Sequence, residues 1–172
     1  GKKVAVIGTG SSGIQTIPLV AEQADELVVF QRTANFSTPA LNRTLSNSEI
    51  DAVKNNYPEY RAECRKSRLG AISPEPQLDR AMEATAEERE ARFNTGWETG
   101  LLPSFFFAFG DILTDEKANE AAQEFIRDRI RGIVEDEQTR EDLLPNTHPY
   151  GTKRPCLDTN YYETFNRENV SL

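Results

Sequence analysis

At 172 residues, 37% of them hydrophobic, the chain suffices for one domain, or for one domain with an insertion. A net charge of −8 argues against nonspecific binding to nucleic acid or to anionic membranes, and an anionic ligand needs local cations that overcome the overall field. No apolar stretch reaches membrane-spanning length, no signal peptide is expected, and one His with two unclustered Cys (Cys64 and Cys156) predicts no metal site and two free thiols in a reducing, cytoplasmic compartment.

The chain opens on Lys3-Val4-Ala5-Val6-Ile7, an apolar, β-branched run that predicts a buried central parallel strand. Gly8, Gly10 and Gly13 follow as G-x-G-x-x-G, and Ile14, Ile17, Leu19 and Val20 predict a helix that Pro18 shortens or kinks. Each glycine has a physical task. The first allows the sharp turn, the second lets backbone approach a pyrophosphate, and the third lets the helix pack close to the strand. Free N–H groups and the positive end of the helix dipole then face the anion. Strand, turn and helix in this order predict a dinucleotide site; the alternative is a tight glycine turn without a ligand.

Leu27-Val28-Val29-Phe30 predicts the second strand of a βαβ unit. An Asp or Glu at the end of that strand would bind a ribose 2′-hydroxyl. The chain has Gln31-Arg32-Thr33 there, a cation and a hydroxyl that suit a 2′-phosphate. One charge-assisted contact contributes roughly 1.5–3 kcal/mol, about a ten- to hundredfold preference for NADP over NAD. The alternative is a surface arginine ending a strand.

Residues 34–45 read as a loop leaving the sheet, and 46–145 as helical and charged. Capping-box patterns at Ser46-Asn47-Ser48-Glu49 and Thr85-Ala86-Glu87-Glu88 start two helices, the first interrupted near Pro58, the second running to about Phe93, with a loop over Gly70–Pro76 between them. Trp97–Gly110 is the most apolar part of this region. Its run Ser104-Phe105-Phe106-Phe107-Ala108-Phe109 reads as a core turn, or else as a domain interface or channel wall. Thr114-Asp115-Glu116 opens the best helix, with Ala118, Ala121, Ala122, Phe125, Ile126, Ile130, Ile133 and Val134 at core spacing. Asp136 caps a short helix that Pro145 stops. The segment 146–172 returns to the sheet through a loop with adjacent cations, Lys153 and Arg154, a short helix capped by Asp158, and a strand at Val170-Ser171-Leu172. His148 reads as a solvated loop residue, with proton transfer a distant second. The expected class is α/β: a Rossmann-type parallel sheet, three-layer αβα, begun by 1–33, interrupted by a helical insertion over 34–145 and resumed by 146–172. A start so close to a core strand predicts a piece of a longer protein.

Gly8-Thr9-Gly10-Ser11-Ser12-Gly13-Ile14-Gln15, Val29-Phe30-Gln31-Arg32-Thr33, Gly151-Thr152-Lys153-Arg154-Pro155 and Tyr161-Tyr162-Glu163-Thr164-Phe165-Asn166-Arg167 together resemble Baeyer–Villiger monooxygenases. These enzymes use FAD and NADPH to insert one oxygen atom beside a ketone, giving an ester or lactone. The resemblance implies that Gly8, Thr9, Gly10, Ser11, Ser12 and Gly13 hold the pyrophosphate, with Gln15 nearby, and that Arg32, Thr33 and Lys153 hold the 2′-phosphate. It implies that Arg154 is the active-site arginine that faces the flavin and stabilises its peroxide anion, a task for a side chain that stays protonated. The bland alternative is a solvated basic pair. FAD would be bound mainly by an FAD-binding domain of the same polypeptide outside this chain, where the family's F-x-G-x-x-x-H-x-x-x-W signature also lies. The piece alone is then expected to be inactive, its partners being that domain, the ketone and dioxygen. The alternatives are a related flavin monooxygenase acting on nitrogen or sulfur, and a non-catalytic NADP-binding module.

Overall fold

Two parallel strands pair along their whole length: β1 (Lys3–Ile7) and β2 (Glu26–Phe30), with Val4 opposite Leu27 and Val6 opposite Val29. They belong to a computed structural model that describes residues 1–67, 70–71, 77–100 and 105–172. Parallel neighbours need a crossover, and α1 (Ser11–Ala21) supplies it. Ile14, Ile17 and Ala21 of α1 share one buried core with Leu27 and Val29, and Val4 and Val6 pack against it half buried. Burying each of the larger side chains contributes about 1.5–3 kcal/mol.

Side chains alternate along a strand, so Ala5, Ile7 and Phe30 point to the opposite face. That face is open: Ile7 is 86% exposed and Phe30 55%. The apolar run Val4–Ile7 predicts a strand buried at the sheet centre. Among the described residues β1 is instead the edge of a three-stranded sheet ordered β1-β2-β5, where β5 (Val170–Ser171) pairs in parallel with β2. A continuous apolar run reports that both faces suit burial. It does not say that the covering layer comes from this segment of chain.

A second, two-stranded parallel sheet joins β3 (Ser37–Pro39) to β4 (Cys156–Asp158), with Ser37 opposite Cys156. Residues 34–45 are therefore not wholly a loop. Three residues are too few to show a period of two, and their partner lies far along the chain. Ser37 and Thr38 are buried in this pairing, and the Ser37 hydroxyl donates to the Asp158 carboxylate.

Both capping boxes form, Ser46 with Glu49 and Thr85 with Glu88. They open α2 (Asn47–Asn55) and α4 (Ala86–Thr99), with α3 (Tyr57–Lys66) between them starting at the Pro58 break. α4 runs beyond Phe93 because Trp97, one turn on, reaches the same partner: Phe93 and Trp97 lie 5.4 and 6.1 Å from the Phe125 ring. Gly100, left-handed at φ 68°, ends it. α5 (Glu116–Ile133) is capped by Asp115 and buries Ala118, Ala122, Ile126 and Ile130; α6 (Glu137–Leu143) is capped by Asp136. In α7 (Tyr161–Thr164) the first backbone N–H is accepted by the Asp158 carboxylate. Phe105 and Phe109 are buried against Phe93, and Ala108 is buried too, so these residues of the aromatic run are core, while Phe106 and Phe107 are only partly buried. Residues 72–76 of the expected loop and Ser104 of that run lie outside the described residues.

Candidate functional site at the glycine turn

Gly8 stands at φ 101°, a region closed to most side chains, and its N–H donates to the Phe30 carbonyl at 2.9 Å, pinning the turn to the end of β2. A Cβ on Gly13 would sit 2.2 Å from the Gly8 carbonyl oxygen, so α1 approaches β1 only because residue 13 has no side chain. A Cβ on Gly10 would meet nothing within 4 Å. No side chain caps α1, and its first turn holds no acidic residue. The start of α1 therefore offers backbone donors and a positive dipole end to an anion.

A cleft of about 420 Å³ opens here. Gly8, Thr9 and Gly10 line one side, and Arg32, Thr33 and Lys153 stand around it with Asn35. The Thr9 hydroxyl is buried within hydrogen-bond reach of Gln31 Oε1 (3.3 Å) and the Thr33 carbonyl (3.4 Å), which ties the turn to the residues after β2. Arg32, Lys153 and Arg154 are exposed and form no ion pair among the described residues. The cleft thus concentrates positive charge in a chain of net charge −8.

The other expected site residues lie just outside this cleft. Ser11, Ser12 and Gly13 form the first turn of α1. Ser11 Oγ lies 3.4 Å from Cys156 Sγ, and Gln15 Nε2 donates to the Leu157 carbonyl at 3.3 Å, so both side chains dock α1 on β4. Arg154 directs its carbonyl to Asn35, whose Nδ2 donates to it at 3.0 Å and also approaches Cys156 Sγ at 3.3 Å. Asn35 was not singled out from the sequence. Its signal is only its place, two residues beyond Thr33.

His148 differs from the solvated reading. Its ring meets Phe36 edge-on at 5.4 Å, and burial, with Lys153 nearby, holds its pKa below the ordinary imidazole value. The Tyr150 ring is buried between Phe36, Phe105 and Phe106, and burial pushes its phenol pKa up. Cys64 and Cys156 are free thiols. Among the described residues no group of three or more His, Cys, Asp or Glu gathers for a metal, and no helix is long and apolar enough to cross a membrane.

A parallel βαβ unit with a tight glycine turn between its first strand and helix places the chain in the class of Rossmann-type α/β domains. No family model matches the chain. Over its whole length it is 44% identical to the cyclohexanone 1,2-monooxygenase of Acinetobacter sp and 43% identical to the phenazine N-monooxygenase PhzNO1 of Lysobacter antibioticus. It superimposes over 99% of its length on an oxidized steroid monooxygenase bound to NADP (46% identity, TM-score 0.87) and on OTEMO in complex with FAD and NADP (36% identity, TM-score 0.92), covering 32% of each. The chain is thus similar to a segment of these monooxygenases, and a Baeyer–Villiger monooxygenase of Pseudooceanicola batsensis is among its relatives. It spans about a third of the length of the curated relatives it matches, 31% of the Acinetobacter enzyme.

Proposed function

We propose that this chain is the NADP(H)-binding part of an FAD-dependent Baeyer–Villiger monooxygenase, which inserts oxygen next to a ketone to give an ester or lactone. The observation that carries the reading is the cleft that gathers Gly8, Thr9 and Gly10 with Arg32, Thr33 and Lys153. The uncapped start of α1, with Ser11, Ser12 and Gly13, holds the pyrophosphate, and Gln15 keeps α1 seated on β4 beside it. Arg32, Thr33 and Lys153 hold the 2′-phosphate. When bound, NADPH supplies a hydride and FAD carries the oxygen chemistry. The chain's own part is binding, orientation and charge. Arg154, exposed and without a counter-ion among the described residues, offers a fixed positive charge to the oxygenation site.

Under this reading 34–145 is an insertion within the NADP-binding domain, and the FAD-binding domain of the same polypeptide, a ketone and dioxygen are the partners. The free thiols support a cytoplasmic location. A second reading, oxygenation of nitrogen by the same NADPH and FAD logic, draws on the 43% identity to a phenazine N-monooxygenase.

The test is anaerobic mixing of the intact protein with NADPH and, separately, NADH while flavin absorbance is followed. Fast bleaching by NADPH and slow bleaching by NADH is the expected result. A protein without a flavin band would discard the monooxygenase reading. Equal bleaching by both would overturn the roles of Arg32 and Lys153.

A further inference from the structure

The loop that carries Lys153 and Arg154 is held at both ends by asparagine side chains. Asn35 holds the Arg154 carbonyl at one end. At the other stands Asn119 on α5, within the stretch that helical spacing reads only as core. Asn119 is 8% exposed, and its amide makes all four hydrogen bonds open to it. Nδ2 donates to the carbonyls of Ile112 and Tyr150, both at 2.9 Å. Oδ1 accepts from the Tyr150 N–H at 3.1 Å and from Gln123 Nε2 at 2.9 Å. The side chain pairs with both backbone groups of Tyr150, as a neighbouring strand would. Gln123 is held in turn, because Arg127 donates to its Oε1 at 2.8 Å and to the Pro145 carbonyl at 3.2 Å.

Only a tight turn, Gly151-Thr152, separates this clamp from Lys153. Gly151 stands at φ 87°, and the Thr152 N–H and hydroxyl both donate to the Pro149 carbonyl, at 3.3 and 2.8 Å. Lys153 lines the cleft and its side chain has no ion pair among the described residues, so it is the loop backbone that brings it there.

We propose that Asn119 is a positioning residue for Lys153, so that the helical insertion contributes to the preference for NADP over NAD without touching the dinucleotide. The inference rests on the reading of Lys153 as a 2′-phosphate ligand. A role in packing alone would weaken both dinucleotides alike. Positioning weakens only the one that carries the additional phosphate.

Isothermal titration of the intact flavoprotein with NADP+ and with NAD+ tests this, on variants checked for thermal midpoint and flavin content. Lys153→Ala raises the Kd for NADP+ roughly tenfold and leaves NAD+ within about twofold, the loss of one charge-assisted contact. Asn119→Ala raises the Kd for NADP+ roughly fivefold, spares NAD+, and adds less than about twofold to Lys153→Ala, because both act through one contact. Gln123→Leu removes the bond that orients the Asn119 amide, together with the one that Gln123 accepts from Arg127, and leaves the Asn119 contacts with Tyr150 in place. It shifts NADP+ in the same direction by less, and it decides the matter should Asn119→Ala fail to fold. Unchanged NADP+ affinity in the folded variants, or equal losses for both dinucleotides, overturns the positioning role. A silent Lys153→Ala overturns the phosphate assignment itself, and the inference with it.

Discussion

The Gly8 carbonyl oxygen occupies the space that a side chain on Gly13 would need, 2.2 Å from the position of its Cβ. Backbone cannot step aside as a flexible side chain can. Gly13→Ala is therefore expected to push α1 away from β1 at a cost of about 1–3 kcal/mol. Gly10→Ala meets open space and is expected to melt like the wild type while weakening NADP+, because its methyl group enters the pyrophosphate's approach. Thermal midpoints and NADP+ titration separate the two. Equal melting of both variants would contradict the packing role of Gly13.

Arg32 lines the cleft with its guanidinium exposed and without an ion pair among the described residues, so its removal leaves no buried partner behind. Arg32→Ala is expected to raise the KM for NADPH about ten- to hundredfold and to spare NADH, since only NADPH carries the 2′-phosphate. Steady-state kinetics with the two nucleotides are the check. Parallel weakening would show that Arg32 serves something other than that phosphate.

Arg154 lies outside the cleft at the glycine turn and is exposed. Arg154→Ala is expected to leave NADPH oxidation largely intact while ketone oxygenation falls by about a hundredfold or more, the scale of losing one preorganised charge. The ratio of ester formed to NADPH consumed measures this. Ketone turnover that survives the substitution would withdraw the catalytic role and favour nitrogen or sulfur oxygenation.

Asp158 carries a pH dependence of known sign. Burial raises its carboxyl pKa and nearby Glu163 adds to this, against the lowering effect of hydrogen bonds from Ser37 and the Tyr161 N–H. An acid whose folded pKa exceeds its unfolded value favours the folded state when protonated. That contribution is full below the ordinary value of 3.8 and is lost as pH rises through the raised one. Asp158→Asn keeps an oxygen for the Tyr161 N–H and cannot ionise. Its thermal midpoint is expected to gain on the wild type as pH rises through this window. A difference independent of pH would mean that Asp158 folds with an unshifted carboxyl.

The glycine spacing, the apolar runs around it and the cap residues were sufficient to place β1, α1, β2 and the starts of α2, α4, α5 and α6, because each depends on contacts within a few residues. The same local logic marked Gly8, Gly10, Gly13 and Arg32 as a phosphate site. It could not place β3 against β4, since three-residue strands gain their stability from a partner more than a hundred residues away. Nor could local spacing bring Lys153 to Arg32, which only the family resemblance grouped. That meeting depends on α1 docked to β4 through Gln15, on Asn35 at the Arg154 carbonyl and on Asn119 at Tyr150. Hydrogen bonds across such distances have no period and no spacing. They exist only once the core formed by Phe36, Tyr150 and the α5 face has drawn the segments together, and they then turn two separate basic residues into one site.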